Sequence, residues 1–399
     1  MPWRVMNDEM AAKIKNHYLP EVSAFLLGRS KPSMVTVNLT SRCNQQCVYC
    51  EIGKHIPSER RDNLTIDDLM WIIDEMYSNK IHRLALCGGE PFMFDGIIDI
   101  VEYARNKRII CAITTNGMTI QNLTRTELLA LKTANAEINI SIDSFDEKIQ
   151  SRTRGIAGSL EKTLESIRIL LQHEIPLIIL TVISRYNYRN LYQHLIYAYD
   201  LGIRQVLFQP VIHSSNYPDR PAIPSKAELN LNSGDFDILN SELRKAQRFE
   251  RKHHINTNVY RILPWIKYYL QSAETKNGHM FFDNVLKKFY CRDIDAIIDI
   301  TYDGGIQPCG LELAKTTIHQ NRELGLIGQW KNATGALRNK INNREYPEIC
   351  NACCHHFSRN MLASVMRYPI QNRAMLLKMT YLILSRIMFR TYKKVMITS

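Results

Sequence analysis

The hydrophobic pattern between residues 34 and 210 alternates between two periods. Short apolar runs rich in β-branched residues predict six strands, at 34–39, 83–86, 109–114, 137–142, 177–182 and 205–208. Between them apolar residues recur at helical spacing, which predicts helices at 66–77, 96–106, 125–133, 159–172 and 188–201. Strands separated by helices of this length are typical of βαβ units and a parallel sheet.

Six consecutive units favour a barrel over a two-domain dinucleotide fold, and no G-x-G-x-x-G segment follows the first strand. The predicted fold class is therefore α/β, a partial (β/α)6 TIM-like barrel with a small C-terminal α+β module. A polar segment follows every predicted strand, in the order TSRCNQQCVYC, CGGEP, TTNG, SIDS, SRYN and QP. Because reacting groups of such barrels lie at the carboxyl ends of the strands, these segments should meet at one mouth.

Outside the barrel the pattern is less regular and divides the chain further. Within the C-terminal module, the run 297–309 predicts a β-hairpin with Asp303 and Gly304 at its turn. The expected units are a helical lead-in at 1–33, the barrel at 34–215, a linker and helical insertion at 216–290, the second module at 291–356 and a basic amphipathic tail at 357–399.

Composition adds a charge imbalance whose position matters. The 399 residues carry a net charge of +12, from 51 basic and 39 acidic residues. Eight basic residues and no acidic residue follow Cys354, so the body of the chain before it has a net charge of only +4. No interleaved aromatic residues accompany the basic tail, which disfavours a nucleic-acid partner. Since 45% of residues are apolar, disorder is also excluded.

Ten cysteines point to metal chemistry. The first residues contain no apolar signal region, so we expect a cytoplasmic protein, in which structural disulfides are rare. Cys87 and Cys111 lie alone in apolar runs, where each is expected to be a small buried hydrophobe. The other eight form two groups, which are Cys43, Cys47 and Cys50, and Cys291, Cys309, Cys350, Cys353 and Cys354.

The first group has the spacing C-x3-C-x2-C on the loop after the first strand. Three thiolates on one tight loop can bind three irons of a cubane cluster and leave the fourth iron open to a small molecule. A zinc knuckle is the alternative, although zinc normally binds four ligands and only His55 lies nearby in the sequence.

With Tyr49 before the third cysteine, this loop resembles that of the radical S-adenosylmethionine (radical SAM) superfamily, and further motifs follow in that family's order over residues 34–210. The resemblance implies that Cys43, Cys47 and Cys50 bind a 4Fe–4S cluster whose unique iron binds SAM. In the family the segment GGEP contacts the methionine amino group and the fourth-strand segment approaches the ribose. The implied SAM contacts are Tyr49, Gly88, Gly89, Glu90, Pro91, Thr115, Asn116, Ser141, Asp143, Ser184 and Gln209.

The resemblance also implies the chemistry. One electron from the reduced cluster cleaves SAM to methionine and a 5′-deoxyadenosyl radical, which abstracts a hydrogen atom from an unactivated C–H bond. The electron comes from a donor such as flavodoxin or ferredoxin. No residue is identified as a proton donor or acceptor. Arg152 and Arg154 are expected either to contact SAM or substrate, or to be a solvated pair.

The second cysteine group resembles the C-terminal auxiliary cluster modules called SPASM and twitch, in the shorter twitch arrangement. That likeness implies one auxiliary 4Fe–4S cluster, and a four-thiolate structural zinc site is the alternative. Cys354, His355 and His356 are expected to be packing or solvent residues. The implied cluster ligands are Cys291, Cys309, Cys350 and Cys353.

Two substrate classes remain open. The first is a small carbohydrate- or lipid-linked molecule that is oxidised or functionalised at a C–H bond. The second is a ribosomally made peptide, which we expect less because the roughly 33 residues before the first strand are too few for a peptide-recognition domain. A non-catalytic iron–sulfur or zinc scaffold is the alternative of another class.

The basic tail offers two interpretations of its own. No run of about 18 uncharged apolar residues is present, so no spanning helix is expected. In residues 375–394 the charges and the apolar residues occupy opposite halves of a helical wheel. Such a helix either docks its apolar face on the barrel, which is the commoner outcome, or lies peripherally at the inner surface of an anionic membrane.

Overall fold

The computed structural model describes residues 31–50, 52, 64–211, 228–274, 291–310, 314–347, 350 and 353. Its strands are β1 (Met34–Asn38), β2 (Arg83–Cys87), β3 (Ile110–Thr115), β4 (Glu137–Ser141), β5 (Leu177–Ile183), β6 (Gln205–Pro210), β7 (Asn256–Thr257), β8 (Ile297–Ile300), β9 (Gly305–Gln307) and β10 (Thr316–Thr317). They form one sheet in the order β10-β9-β8-β1-β2-β3-β4-β5-β6-β7. Strands β1 to β6 lie side by side and parallel, which confirms the partial barrel.

Helices separate the parallel strands as the periodicity predicts. Two of them are preceded by threonines, Thr65 and Thr124, that cap the helix. Each threonine side chain accepts a hydrogen bond from the backbone N–H three residues later, and the acidic side chain at that position accepts one from the threonine backbone, which is a capping box. The described helices are α1 (Ile66–Ser78), α2 (Ile97–Asn106), α3 (Arg125–Thr133), α4 (Glu147–Arg154), α5 (Ser159–Gln172), α6 (Leu191–Asp200), α7 (Phe236–His253), α8 (Val259–Ile262), α9 (Ile266–Glu274), α10 (Asp293–Ala296) and α11 (Gly325–Asn342).

The predicted C-terminal hairpin is present and extends the barrel sheet. Strands β8 and β9 pair antiparallel with Asp303 and Gly304 in the turn, as predicted. On its other side β8 pairs in parallel with β1. Trp330 of α11 is fully buried and donates its indole N–H to the carbonyl of Ile297 at 2.9 Å. The hairpin is therefore joined to the barrel by main-chain pairing and by a buried aromatic anchor.

The two faces of the central strands differ in burial. Alternate residues such as Val35, Val37 and Leu84 are at most 1% exposed and belong to the core shared with the helices. Their neighbours along the same strands, among them Asn38 and Asn139, are only half-buried. Because side chains alternate across a strand, the half-buried residues share the inner face of the partial barrel.

No helix among the described residues is long and apolar enough to cross a membrane. The lead-in up to residue 30, the basic tail and Cys354, His355 and His356 lie outside the described residues, so the expectations for them stay predictions, as do the domain boundaries.

Burial of His194 leads to a testable pH dependence of stability. Its Nε2 lies 2.8 Å from Thr181 Oγ1 between Phe145 and Phe208, and burial lowers the pKa of its imidazole to about 3. Below pH ~6.5 the unfolded chain binds a proton that the folded chain refuses, so stability falls with decreasing pH. Between pH ~6.5 and pH ~5 we expect His194 to lower the free energy of unfolding of the cluster-free protein by about 2 kcal/mol, as measured by urea unfolding. The variant His194→Gln should lack this contribution. Equal pH slopes for the two proteins would contradict the assignment.

Candidate active site

The cysteine loop, residues 39–50, is held on one side by the segment that ends β2. Gly89 donates its backbone N–H to the carbonyl of Thr40 at 2.7 Å, and Glu90 donates to that of Arg42 at 2.8 Å. This approach leaves no room for side chains: a Cβ at Gly88 would lie 2.7 Å from Thr40 O, and one at Gly89 would lie 2.0 Å from Arg42 O. Gly88 also has a φ of +121°, which L side chains rarely adopt. The two glycines are therefore needed to position the cysteine loop.

The other side of the loop rests on the end of α4. Gln46 and Val48 donate their backbone N–H groups to the carbonyls of Arg154 and Thr153, at 3.1 and 2.9 Å. A Cβ at Gly155 would lie 2.1 Å from the carbonyl oxygen of Gln46. The three cysteines thus lie on a loop clamped between the β2 segment and α4.

Glu90 links the β2 segment to the end of β3. Its carboxylate is fully buried and accepts from the Thr115 hydroxyl at 2.7 Å, the Asn116 backbone at 2.8 Å and the Phe92 backbone at 3.2 Å. Burial raises the pKa of Glu90, and the three hydrogen bonds counteract that rise. In this arrangement the carboxylate serves the protein's own backbone, and the contact to a methionine ammonium stays a prediction.

Asn116 lies against the cysteine loop. Its Nδ2 donates to Asn44 Oδ1 at 2.6 Å and lies 3.9 Å from Cys43 Sγ, while its Oδ1 accepts from the backbone of Met118 at 2.9 Å. The predicted third-strand segment therefore does reach the first cysteine.

A buried ion pair lies beside the second cysteine, Cys47. The carboxylate of Asp143 accepts from Tyr49 Oη at 2.7 Å, from Arg154 Nη2 at 2.9 Å and from the Val182 backbone at 3.0 Å. The side chains of Arg154 and Asp143 are 6% and 0% exposed. Burial disfavours the charge on Arg154, but Asp143 and Tyr49 outweigh it and raise the pKa of the guanidinium. The oxygens of Asp143 thus already accept three hydrogen bonds within the protein, and its contact to the SAM ribose stays a prediction.

The remaining predicted SAM contacts are spread around the same mouth. Pro91 is buried and begins a short 3-10 turn, Ser141 is half-buried at the end of β4, and Gln209 is exposed near the end of β6. Ser184 is buried and forms a turn in which its hydroxyl accepts from the Tyr186 backbone at 3.4 Å.

The thiols of the first group influence one another electrostatically. Burial raises the pKa of Cys47 to about 12, and the nearby Cys50, Asp143 and Cys43 add to the rise whereas Arg154 lowers it. Burial also raises the pKa of Cys43, with Glu90 and Cys50 contributing. Bringing these thiols together is costly without a positive partner, which iron would supply because a coordinated thiol is deprotonated.

The donor set fits a cubane cluster. Within the described part of the chain, no three Cys, His, Asp or Glu side chains converge as the ligands of a single metal ion. A cubane requires a different arrangement, in which each thiolate binds its own iron. The buried guanidinium of Arg154 adds a positive charge beside these thiols: its Nη1 donates to Cys47 Sγ at 3.9 Å, and its Nε has no hydrogen-bond partner among the described residues. Cys43, Cys47 and Cys50 would hold the cluster, and the loops beside them would hold SAM.

The auxiliary cysteines also come together. Cys291 is half-buried, and desolvation raises the pKa of its thiol well above the ordinary value, with further increases from Asp293, Cys353 and Cys309. Cys350 lies next to Cys353 on a turn closed by a 3.3 Å backbone bond. The structure therefore brings Cys291, Cys309 and Cys353 close enough to interact, with Cys350 at the adjacent turn.

Two interpretations of single residues need correction. Cys87 is not a core hydrophobe: it is half-buried on the inner face, and its thiol donates to Asn38 Oδ1 at 3.3 Å. Arg152 and Arg154 are not a solvated pair, because Arg154 is buried; Arg152 is exposed as expected and lies 4.0 Å from the centre of the Tyr186 ring. Cys111 is buried as predicted.

The sequence pattern missed the supports of the fourth-strand segment. Asn187 donates to the carbonyls of Asp143 and Val182 at 2.8 and 2.7 Å, and Gln150 accepts from the Asp143 backbone at 2.9 Å. Gly155 was a usable signal for Arg154, since glycine commonly follows the end of a helix and marks α4 as ending near the cysteine loop.

Comparison with known proteins agrees with this geometry. Residues 37–198 match the radical SAM superfamily. The chain is 30% identical over 172 residues to an AdoMet-dependent heme synthase of Methanosarcina barkeri, covering 43% of this chain and 48% of that protein. It is 26% identical over 325 residues to a GTP 3′,8-cyclase of Clostridium perfringens, covering 78% and 86%.

Among solved structures, SuiB of Streptococcus suis bound to S-adenosylmethionine has a similar fold. The TM-score is 0.59 at 16% identity, over 86% of this chain and 75% of SuiB. SuiB bound to its precursor peptide SuiA gives the same TM-score, over 89% and 76%.

The barrel, the clamped cysteine loop and these matches define the class of protein. The chain contains a radical SAM domain at residues 37–198 and is a radical SAM enzyme. Its cofactors are accordingly a 4Fe–4S cluster and S-adenosylmethionine.

Proposed function

We propose that this enzyme abstracts a hydrogen atom from a small hydroxylated substrate, carbohydrate- or lipid-linked, held on the inner face of the barrel. When bound, the cluster and SAM supply a 5′-deoxyadenosyl radical after transfer of one electron from an external donor such as flavodoxin or ferredoxin. The observation that carries the proposal is a row of neutral polar residues on that face.

This polar row consists of Asn38, Cys87, Thr114 and Asn139, on four adjacent strands. Asn38 is the register partner of Cys87, and Thr114 is that of Asn139. Asn139 Nδ2 lies 3.4 Å from Thr114 Oγ1, and the Cys87 thiol bonds Asn38. All four are half-buried although they lie at the centre of a ten-stranded sheet. Such a row offers uncharged donors and acceptors that match hydroxyl groups.

An ion pair lies deeper along the inner face. Arg83 Nη2 and Glu137 Oε2 are 2.7 Å apart, on the residues that begin β2 and β4. The polar row therefore lies between this ion pair and the mouth that contains the cysteine loop. A substrate on the row would be oriented by hydrogen bonds and shielded from water, which protects a radical from side reactions.

A precursor peptide is the second candidate substrate. It is supported by the fold shared with SuiB, which has been solved with its precursor peptide SuiA. The amide groups of an extended peptide could also bond the polar row. The two candidates therefore need separate arms in one experiment.

The experiment follows deuterium from substrate into 5′-deoxyadenosine. The cluster-loaded, reduced protein is incubated with SAM and either perdeuterated neutral sugars, free and lipid-linked, or deuterated peptides. We expect a mass gain of one unit in 5′-deoxyadenosine from a sugar, and loss of kcat/KM by about tenfold in Thr114→Val, which removes one substrate hydrogen bond. The matched variant Thr133→Val, on the exposed face of α3, should behave as the unmodified protein.

Transfer from peptides alone would replace the sugar proposal by the peptide candidate. Cys47→Ala serves as the chemical control, because it removes a cluster ligand and should form no 5′-deoxyadenosine. If Thr114→Val binds SAM normally and has the same kcat/KM as the unmodified protein, a substrate contact at the polar row is excluded.

We further propose that Cys291, Cys309, Cys350 and Cys353 hold one auxiliary 4Fe–4S cluster. Cys350→Ala should lower iron and sulfide in anaerobically purified protein by about four atoms each, since one cubane is lost. Cys111→Ala is the matched control, because that cysteine is buried in the barrel core and far from either group in the sequence. Unchanged iron with bound zinc would instead assign a structural zinc site to these residues.

A further inference from the structure

The charge of Arg154 has no role in the proposed substrate chemistry, yet it is buried beside a cluster ligand. The guanidinium is 5% exposed at the end of α4. A cation in such a place is costly unless it is compensated, so the groups that contact the guanidinium determine the effect of its charge.

The hydrogen bonds of the guanidinium divide it into two parts. Nη2 donates to Asp143 Oδ1 at 2.9 Å, which compensates the charge on one side. Nη1 donates to Cys47 Sγ at 3.9 Å. Nε is buried and has no hydrogen-bond partner among the residues that the structure describes. The guanidinium therefore directs one charged N–H group at Asp143 and another at a cysteine of the first group.

The surrounding contacts hold the guanidinium in this orientation. Asp143 is fixed by Tyr49 and by the Val182 backbone in addition to Arg154. The ring of Tyr49 lies 5.6 Å from the guanidinium carbon, on the same loop as Cys47. Because the backbone carbonyl of Arg154 also accepts from Gln46, main chain and side chain of this residue both hold the cysteine loop.

We propose that Arg154 is a positioning residue that raises the reduction potential of the cluster bound at Cys43, Cys47 and Cys50. Reduction adds one electron from an external donor to the cluster, and no bond is formed or broken at Arg154. A fixed positive charge and an N–H donor beside a coordinating sulfur stabilise the more negative, reduced state. The charge of Asp143 opposes this effect, but its carboxylate is bonded to Nη2, whereas Nη1 donates to the coordinating sulfur of Cys47.

The test measures the midpoint potential in the absence of SAM, by dithionite titration of the paramagnetic signal that Cys47→Ala eliminates. Arg154→Met should make reduction at least about tenfold less favourable, a shift of about 59 mV to more negative potential for one electron. Arg154→Lys keeps the charge and should recover part of the shift. Arg152→Gln is the matched control, since it removes a charge two residues earlier from a side chain that stacks on Tyr186.

The single variant leaves Asp143 without its partner and could fold poorly. The double variant Arg154→Met with Asp143→Asn removes both buried charges and should still shift the potential in the same direction. Iron content reports whether the cluster is present in each protein. An unchanged potential in the cluster-loaded double variant and in Arg154→Met would overturn the proposal. If the potential is unchanged and SAM binds more weakly, the guanidinium contacts SAM instead. Failure of the substrate proposal would not change the expected potentials, so the two proposals can be tested separately.

Discussion

Gly89→Ala is expected to prevent stable cluster binding, although it adds a single methyl group outside the cysteine loop. The new Cβ would lie 2.0 Å from the carbonyl oxygen of Arg42 and 2.7 Å from its carbon. Neither group is the end of a flexible side chain, so the loop has to move and its bonds to the β2 segment must break. We expect loss of most first-group iron and about 3 kcal/mol of stability, measured by iron analysis and urea unfolding.

The control for this variant is Gly335→Ala, in the interior of α11. A Cβ there meets nothing within 4 Å, and its φ lies outside the left-handed region. Alanine should stabilise the helix by about 0.5–1 kcal/mol and leave iron unchanged. Full iron loading of Gly89→Ala would show that the cysteine loop tolerates displacement, against the close contact described above.

The fold was predictable where the hydrophobic period was clear. The six barrel strands and the hairpin at 297–309 follow from short apolar runs and a turn dipeptide, and their observed ends differ by one or two residues. Helix α4 was not predicted, because its sequence EKIQSRTR has almost no apolar face and is held by contacts distant in sequence. Helix α6 begins at Leu191 rather than at 188, since Ser184 and Asn187 first form a turn.

The site was predictable at the level of segments and less so at the level of side chains. Spacing along the chain identified the cysteine loop and the segments that meet it. It could not show that Glu90 and Asp143, chosen as ligand contacts, use their carboxylates to bind the protein's own backbone and Arg154. The sequence also could not show whether Cys87 lies on the inner face of the barrel or on the face packed against the helices, because the strands of a parallel sheet appear in the sequence as continuous apolar runs.

Asp143→Asn is expected to have the second large effect, because it removes one charge of a buried pair while keeping the shape of the side chain. The guanidinium of Arg154 would stay buried and lose its counter-charge, and Tyr49 would donate to a neutral amide. Breaking a buried pair in this way costs about 3–5 kcal/mol. Urea unfolding of cluster-free protein near neutral pH measures the loss without a contribution from iron.

A comparison of two ion pairs on the same sheet isolates burial as the cause. Arg83 and Glu137 are 30% and 21% exposed, against 6% and 0% for Arg154 and Asp143. Glu137→Gln should therefore cost about 1 kcal/mol or less, because solvent screens the remaining charge. The double variant that combines Asp143→Asn with Arg154→Met should recover much of the stability that Asp143→Asn alone loses, since no uncompensated charge remains buried. Equal losses for Asp143→Asn and Glu137→Gln would mean that water reaches the guanidinium, and that Arg154 exerts only a screened charge on the cysteine loop.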